Sequence, residues 1–111
     1  GLGGATAELL GDEVWRAAPL SDVDASALVR GFRSAPLLLG YRGAAPVDVP
    51  VLQGLLVRVG LLVDELPQVR SVELNPVLVA REGLSVLHAA LRLSATVNRP
   101  DTGPRRLQPL R

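Results

Sequence analysis

The chain contains no cysteine, methionine or lysine, and it has one histidine and three aromatic residues in 111 positions. The lack of cysteine excludes disulfide bonds and thiolate metal sites within the chain, which agrees with a cytoplasmic location. All twelve basic residues are arginine. The chain therefore has no lysine amine to meet a phosphate or to form a Schiff base.

The chain also has little net charge and no long hydrophobic run. Its formal charge is +1 and 48% of its residues are hydrophobic, so we expect a globular domain without general affinity for nucleic acid or anionic membranes. The longest apolar stretch, residues 51–63, includes Gln53 and Arg58. It is too short and too polar to span a membrane, and no secretory signal is visible.

The clearest secondary-structure signal is a β-hairpin. Residues 71–79 and 84–93 both alternate, and Arg81-Glu82-Gly83 lies between them. A two-residue loop of Glu82 and Gly83 would place Asn75 opposite Ala90, with His88 as its diagonal neighbour on the same face. The face toward the helices would carry Leu74, Leu78, Leu87, Ala89, Leu91 and Leu93.

The preceding residues predict a second hairpin and two helices. Residues 5–10 and 13–19 are short apolar runs around Gly11-Asp12, which favours a hairpin. Ser21 and the acidic residues after it begin a helix that reaches Phe32, and Asp48-Val49-Pro50 begins a longer one that ends near Leu66. The resulting order predicts an α+β two-layer sandwich: a mainly antiparallel four-stranded sheet with two helices on one face.

Two segments remain, residues 34–46 and the C-terminal residues. Prolines and glycines interrupt residues 34–46, which we expect to form a packed loop in which Arg42 binds backbone carbonyls or a carboxylate rather than a ligand anion. We expect one domain over residues 1–97. Residues 98–111, rich in proline and arginine, predict a flexible tail.

Three motifs resemble a known family. They are the Glu73-Leu74-Asn75-Pro76 run, the N-terminal glycines with Glu8, Asp12 and Arg16, and the Pro36-Leu37-Leu38-Leu39-Gly40-Tyr41-Arg42-Gly43 segment. Together they resemble the C-terminal subdomain of the ATP-grasp domain in NDP-forming acyl-CoA synthetases and the related succinyl-CoA synthetase beta subunit. This resemblance, with a start that lacks methionine, leads us to expect a C-terminal piece of a larger protein.

The resemblance implies a site for ATP or ADP and magnesium. Asn75 occupies the position of one family magnesium ligand, and Glu73 is a second candidate. His88 stands at the family's aspartate position, where it is either a weakened ligand or a packing residue. Gly3, Gly4 and Glu8 are the candidate nucleotide- or phosphate-binding residues, although a glycine-rich start is also typical of a linker.

The same resemblance implies the function of the intact protein. Family members convert acyl-CoA, ADP and phosphate to carboxylic acid, CoA and ATP through a phosphohistidine. We expect the isolated chain to be inactive and to bind neither nucleotide nor magnesium. Its implied partners are the remaining ATP-grasp subdomain and the CoA-binding domains of the parent, and a homodimer through the exposed sheet face is a further expectation.

Two alternatives remain open. One is a non-catalytic, acyl-CoA-sensing region of a bacterial protein lysine acetyltransferase, fused to a Gcn5-related domain. The His88 substitution and Ala90 at a basic position of the family favour it. The other is a purely structural or interaction module without chemistry of its own.

Overall fold

The computed structural model describes residues 1–94, apart from the side chains of Thr6 and Ala7. The predicted tail, residues 98–111, and the domain boundary at residue 97 lie outside the described residues. The elements are helices α1 (Ala5–Leu10), α2 (Asp22–Gly31), α3 (Pro36–Leu39) and α4 (Val49–Glu65), then strands β1 (Val69–Leu74), β2 (Val77–Val79), β3 (Leu84–Val86) and β4 (Ala89–Leu93). The predicted α+β class is confirmed, but the strands differ from the prediction.

The central hairpin is present and is interrupted at its middle, where the Asn75-Pro76 peptide is cis. Strand β1 pairs antiparallel with β4, and β2 pairs antiparallel with β3, as two separate two-stranded sheets. Across the interruption the Asn75 N–H donates to the His88 carbonyl (3.1 Å), and the Leu87 N–H donates to the Pro76 carbonyl (3.0 Å). One interrupted ribbon thus stands in place of the predicted four-stranded sheet.

The register of this ribbon differs from the prediction. The Ala80 N–H donates to the Gly83 carbonyl at 3.0 Å, so the loop consists of Arg81 and Glu82 rather than Glu82 and Gly83. Asn75 consequently lies opposite His88, and the prediction that it faces Ala90 is wrong. Because the loop keeps its two-residue length, Asn75 and His88 remain neighbours across the ribbon.

Asp48 explains the position of this turn. One carboxylate oxygen accepts from the Val51 N–H (3.2 Å) and caps α4, while the other accepts from the Gly83 N–H (2.7 Å). The Asp48 N–H donates to the Ala80 carbonyl at 2.7 Å. These hydrogen bonds fix the hairpin tip to the start of α4. Because the contact is long-range, local turn preferences in the sequence do not predict it.

The face of the ribbon that packs toward the helices changes along its length. Val72 and Leu74 are half-buried in β1, whereas Val77 and Val79 are half-buried in β2 and Leu78 between them is exposed. The inward positions change from even to odd across Asn75-Pro76. A prediction that extends a single inward–outward alternation through residues 71–79 therefore assigns the wrong face to the residues of β2.

Most of the predicted helix-facing row is exposed, although Ala89 and Leu91 pair with the half-buried Leu74 and Val72. Leu74 is half-buried as expected, but Ala89 is exposed and the four other leucines are more than half exposed. The exposed leucines are Leu78 (57%), Leu87 (57%), Leu91 (54%) and Leu93 (63%). We call these four residues the exposed leucines.

The predicted N-terminal hairpin is wrong. Residues 5–10 form α1, in which the Glu8 N–H donates to the Gly4 carbonyl at 3.2 Å, and residues 13–17 have no regular secondary structure. Alanine, glutamate and leucine favour helices, and no described strand pairs with this part of the chain. The composition of this run therefore agrees with the observed helix.

The two main helices agree with the prediction and supply half of the buried apolar residues. Ser21 caps α2: its hydroxyl accepts from the Asp24 N–H at 3.1 Å, and the Asp24 carboxylate accepts from the Ser21 N–H at 3.0 Å. Helix α2 packs on α4. The buried apolar residues are Ala25, Val29, Phe32, Ala35, Val49 and Val69. None of the helices described in residues 1–94 has the length and hydropathy that a bilayer crossing needs.

The two glycines of α4 should respond differently to alanine. A Cβ added at Gly54 meets nothing within 4 Å, whereas at Gly60 it would lie 3.2 Å from the Leu20 backbone nitrogen and 3.3 Å from Leu20 Cγ. We expect Gly54→Ala to raise the free energy of unfolding by about 1 kcal/mol, the propensity difference in a helix. Crowding against Leu20 should cancel that gain in Gly60→Ala.

Urea denaturation of the two variants, followed by far-UV circular dichroism, checks this prediction. Each variant is the control for the other, because both make the same chemical change in one helix. Equal stabilisation by both substitutions would show that Gly60 does not serve the contact with Leu20.

Asp12 joins the N-terminal segment to the end of α2. Its side chain is only 8% exposed. It accepts from the Ser34 hydroxyl (2.6 Å), the Arg33 N–H (2.6 Å) and the Ser34 N–H (2.9 Å). These bonds, the Ser34 hydroxyl first, hold the pKa of Asp12 below its ordinary value of 3.8, although burial alone would raise it.

This lowered pKa predicts acid sensitivity. A carboxyl group whose folded-state pKa is depressed stabilises the fold above its unfolded-state pKa, and that contribution is lost as the pH falls through the folded-state value. The pKa of Asp24 is lowered in the same direction by its hydrogen bonds with Ser21. The contribution of both groups should therefore be level from neutral pH down to the ordinary carboxyl range and decline below 3.8, their usual pKa.

The pH dependence of the thermal midpoint checks this expectation. Asp12→Asn should be less stable at neutral pH, and its midpoint should fall less on acidification. The control is Asp22→Asn, which changes an exposed carboxylate at the start of α2 and should leave the acid response close to that of the original chain. An unchanged acid response in Asp12→Asn would contradict the assigned role of Asp12.

Candidate functional site

An open cleft of about 850 Å³ lies between the N-terminal segment, the helices and the ribbon. Its floor is aliphatic and comes mainly from α4 and the inward positions of β1 and β2. Its polar lining comes from residues 1–13 and Asn75. The floor includes Leu52, Leu55, Leu56, Val59, Val72 and Leu74. The cleft therefore combines an apolar floor with polar groups from the N-terminal segment and from Asn75.

The glycine-rich segment lies against Asn75. A Cβ added at Gly3 would lie 3.5 Å from the Asn75 side-chain oxygen. Gly4 has a φ of 101°, a left-handed conformation that favours glycine, and α1 begins directly after it. Gly3, Gly4, Glu8 and Asn75 all line the cleft. Four of the six residues selected from the sequence are thus brought together by the fold, and their roles remain predictions.

Asn75 occupies the interruption between β1 and β2. Its backbone N–H donates to the His88 carbonyl, so the residue is held in place without its side chain. The side chain is exposed and makes no hydrogen bond with the residues that the structure describes. Its amide oxygen is therefore available at the edge of the cleft.

Glu73 and His88 do not line the cleft. Glu73 pairs with Ala90 in the β1–β4 ladder, and His88 lies opposite Asn75; both are exposed. Within residues 1–94 no group of three histidine, cysteine or acidic side chains could hold a metal ion. The two candidates nevertheless flank Asn75, one along the strand and one across it.

The donors at the cleft fit magnesium only in part. Magnesium prefers oxygen ligands and commonly takes one or two carboxylates together with phosphate oxygens and water. Asn75 offers an amide oxygen and Glu8 a carboxylate, whereas the imidazole of His88 suits zinc, copper or nickel better. These oxygens suit a cation that arrives with phosphate, and they do not form a closed protein cage.

Two features of the cleft were not found from the sequence. Val77 and Val79 line it, although a single alternation assigned them to the opposite face of the hairpin. Asp12 also lines it while its carboxylate is occupied by Arg33 and Ser34. The proline after Asn75 was the available signal for the inward position of Val77 and Val79, since proline commonly interrupts a strand. No local signal pairs Asp12 with residues more than twenty positions away.

Comparison with known protein families gives one match over nearly all of the described chain. Residues 1–93 match the ATP-grasp domain family. The chain is 34% identical over 93 residues to subunit beta of ADP-forming acetate–CoA ligase I from Pyrococcus furiosus, which covers 84% of this chain and 40% of that protein. It is 42% identical over 96 residues to trans-feruloyl-CoA synthase FCS1 from an unknown prokaryotic organism, covering 82% of this chain and 13% of that protein.

Solved structures show the same similarity. Dinucleotide-forming acetyl-coenzyme A synthetase 1 of Ca. Korarchaeum cryptofilum, in complex with coenzyme A and Mg-AMPPCP, is 36% identical with a TM-score of 0.79. This match covers 85% of the chain and 44% of the synthetase chain. The chain therefore spans less than half the length of the relatives it matches.

Proposed function

Because this chain belongs to the ATP-grasp domain family, we propose that it forms the C-terminal part of the nucleotide site of an ADP-forming acyl-CoA synthetase. The intact protein would convert acyl-CoA, ADP and phosphate to carboxylic acid, CoA and ATP. The cleft in which Gly3, Gly4, Glu8 and Asn75 meet carries this proposal. Asn75 lies more than sixty positions after the other three, and only the tertiary fold brings these residues together.

Each of these residues has a distinct role in the proposal. The amide oxygen of Asn75 contacts a magnesium ion held by the nucleotide phosphates, and Glu8 supplies negative charge on the same cleft. Gly3 and Gly4 let the backbone approach the phosphates closely, because they have no Cβ. Magnesium, when bound, neutralises phosphate charge. Glu73 lies two residues from Asn75 and is a second carboxylate for the same cation.

The isolated chain is proposed to be inactive. It has no lysine to contact phosphate, and the cleft is open and carries few metal-type donors among the described residues. The remaining ATP-grasp subdomain would close the cleft, and CoA-binding domains would supply the second substrate. We place this parent in the cytoplasm, with no nucleic-acid or membrane partner.

Calorimetric titration with MgADP tests the proposed site. The chain alone should show no binding, whereas a longer polypeptide that includes the rest of the domain should bind MgADP. In that polypeptide Asn75→Ala should raise Kd about tenfold or more, as expected when a bond to a charged group worth about 1.5 kcal/mol is lost. Ser71→Ala, a change at an exposed residue of β1 that does not line the cleft, is the matched control.

Two results would contradict the proposal. Micromolar MgADP affinity of the chain alone would show that the site is already complete. Unchanged affinity in Asn75→Ala, with the Ser71→Ala control also unchanged, would remove Asn75 from the metal site.

His88 favours a second candidate function. A histidine directly across from Asn75 gives the metal site one negative charge fewer than the aspartate that the family resemblance implies. Such a site suits a non-catalytic acyl-CoA-sensing region, for example one fused to an acetyltransferase. In the longer polypeptide His88→Asp should then strengthen magnesium-dependent nucleotide binding, and an unchanged affinity would count against a weakened site.

Self-association of the isolated chain through the exposed sheet remains a proposal, and the exposed leucines would contribute to it. All four are more than half exposed, and exposed apolar side chains favour association. Size-exclusion chromatography with light scattering checks this. A monomer at every concentration would contradict it.

A further inference from the structure

The segment between α3 and α4 contains a tight turn with an unusual residue. The Ala44 N–H donates to the Tyr41 carbonyl at 3.1 Å. The two central residues, Arg42 and Gly43, have φ values of 52° and 81°. Positive φ at both central positions is typical of a type I′ turn, which is dominated by glycine, asparagine and aspartate.

Arginine has no backbone reason to occupy this position. Its Cβ is unfavourable in the left-handed region, and it lacks the short polar side chain that helps asparagine and aspartate there. Arg42 is the only non-glycine residue with positive φ in the described part of the chain. A glycine would form the same turn more readily. The side chain of Arg42 is therefore present despite its conformational cost.

The surrounding chain holds this turn firmly. Gly40 has a φ of 102°, and a Cβ added there would lie 3.0 Å from the Ala44 carbonyl oxygen. The Val47 N–H donates to the Leu38 carbonyl at 2.9 Å and closes the segment at its base. The turn is thus a defined support for the side chain that it presents.

The Arg42 side chain lies over a neighbouring aromatic ring. Its guanidinium carbon is 5.5 Å from the centre of the Tyr41 ring, a cation–π arrangement. It forms no hydrogen bond or ion pair with any residue in the described range 1–94. The backbone carbonyl or carboxylate expected from the sequence is therefore not its partner within that range, and both Arg42 and Tyr41 are exposed.

We propose that Arg42, supported by Tyr41, binds a phosphate-type oxyanion at a surface site separate from the cleft. Guanidinium presents paired N–H donors that match two oxygens of one phosphate group. The Tyr41 ring restricts the plane of the guanidinium and so reduces the side-chain freedom lost on binding. Neither residue lines the cleft, so this site is independent of Asn75 and of the nucleotide role proposed above.

Titration of the full chain with inorganic phosphate, followed by NMR, tests the site. The amide signals of residues 40–44 and the Arg42 side-chain N–H signal should shift along a saturable curve. Arg42→Gly should abolish this curve while leaving thermal stability equal or higher, because glycine suits the turn. Arg42→Lys keeps the charge without the paired donors and should weaken binding by about tenfold.

The outcomes separate binding from structure. Saturable shifts that Arg42→Gly removes support the proposal. Shifts that rise linearly without saturation indicate an adventitious ion only and overturn it, as do identical curves for the original chain and Arg42→Gly. A lower thermal midpoint in Arg42→Gly would assign the side chain a structural role and overturn it as well. Asn75→Ala should leave the phosphate curve unchanged.

Discussion

Replacement of Phe32 by alanine is expected to lower the free energy of unfolding by about 3 kcal/mol, the lower end of the range for a buried phenylalanine. Phe32 follows α2 directly, is 7% exposed and is the only phenylalanine of the chain. Its side chain belongs to the small core that α2 and α4 supply. The lower end applies because Phe32 also lines the open cleft, so part of the vacated volume is accessible to water and neighbours.

Urea denaturation monitored by far-UV circular dichroism measures this loss. Phe32→Leu is the matched control and should cost less than about 1.5 kcal/mol, because it keeps an apolar side chain of moderate size. Similar losses in the two variants would mean that the aromatic ring itself, rather than buried apolar volume, determines stability at this position.

Asp48→Ala is expected to lower the free energy of unfolding by about 2 kcal/mol, because it removes both a helix cap and a hydrogen bond to a charged group. One oxygen caps α4 at Val51 and the other holds the Gly83 N–H at 2.7 Å. The substitution should weaken the structure at two places that are far apart in sequence. Amide exchange should accelerate at the start of α4 and at the hairpin tip.

Asp48→Asn separates these two contributions. Asparagine keeps one side-chain oxygen that can cap α4, but its second terminal group is a donor and cannot accept from Gly83. We expect about half the loss of Asp48→Ala, with faster exchange at Gly83 and little change at Val51. If amide exchange became faster only at the start of α4, and not at Gly83, this result would contradict the proposed link to the hairpin.

The helices were predictable because their signals are local. Ser21 and Asp24 form the capping box within four residues, and Asp48 with Pro50 marks the start of α4. The hairpin was also visible as two alternating runs. Its loop was misplaced by one residue because Asp48, 35 positions before Gly83 in the chain, binds that glycine.

The inward face of the ribbon could not be predicted from a single alternation. Val72 and Leu74 pack inward before Pro76, and Val77 and Val79 do so after it. Leu78 is as apolar as its neighbours but remains exposed. Either set of positions would satisfy the alternation within this apolar run, so Pro76 is the only local signal of the change of face.

The candidate site was reached through family resemblance rather than through periodicity. The resemblance selected Gly3, Gly4, Glu8 and Asn75, which line one cleft in the structure. No spacing rule connects residues more than sixty positions apart. The placement of His88 relative to Asn75 depended on the hairpin register, and that register was set by a contact outside the hairpin.

The attachment of the hairpin tip has a consequence for motion in the ribbon. Hairpin tips are ordinarily the most mobile part of such elements, but here Ala80 and Gly83 are both bonded to Asp48. The tip should therefore move together with the start of α4 rather than independently of it.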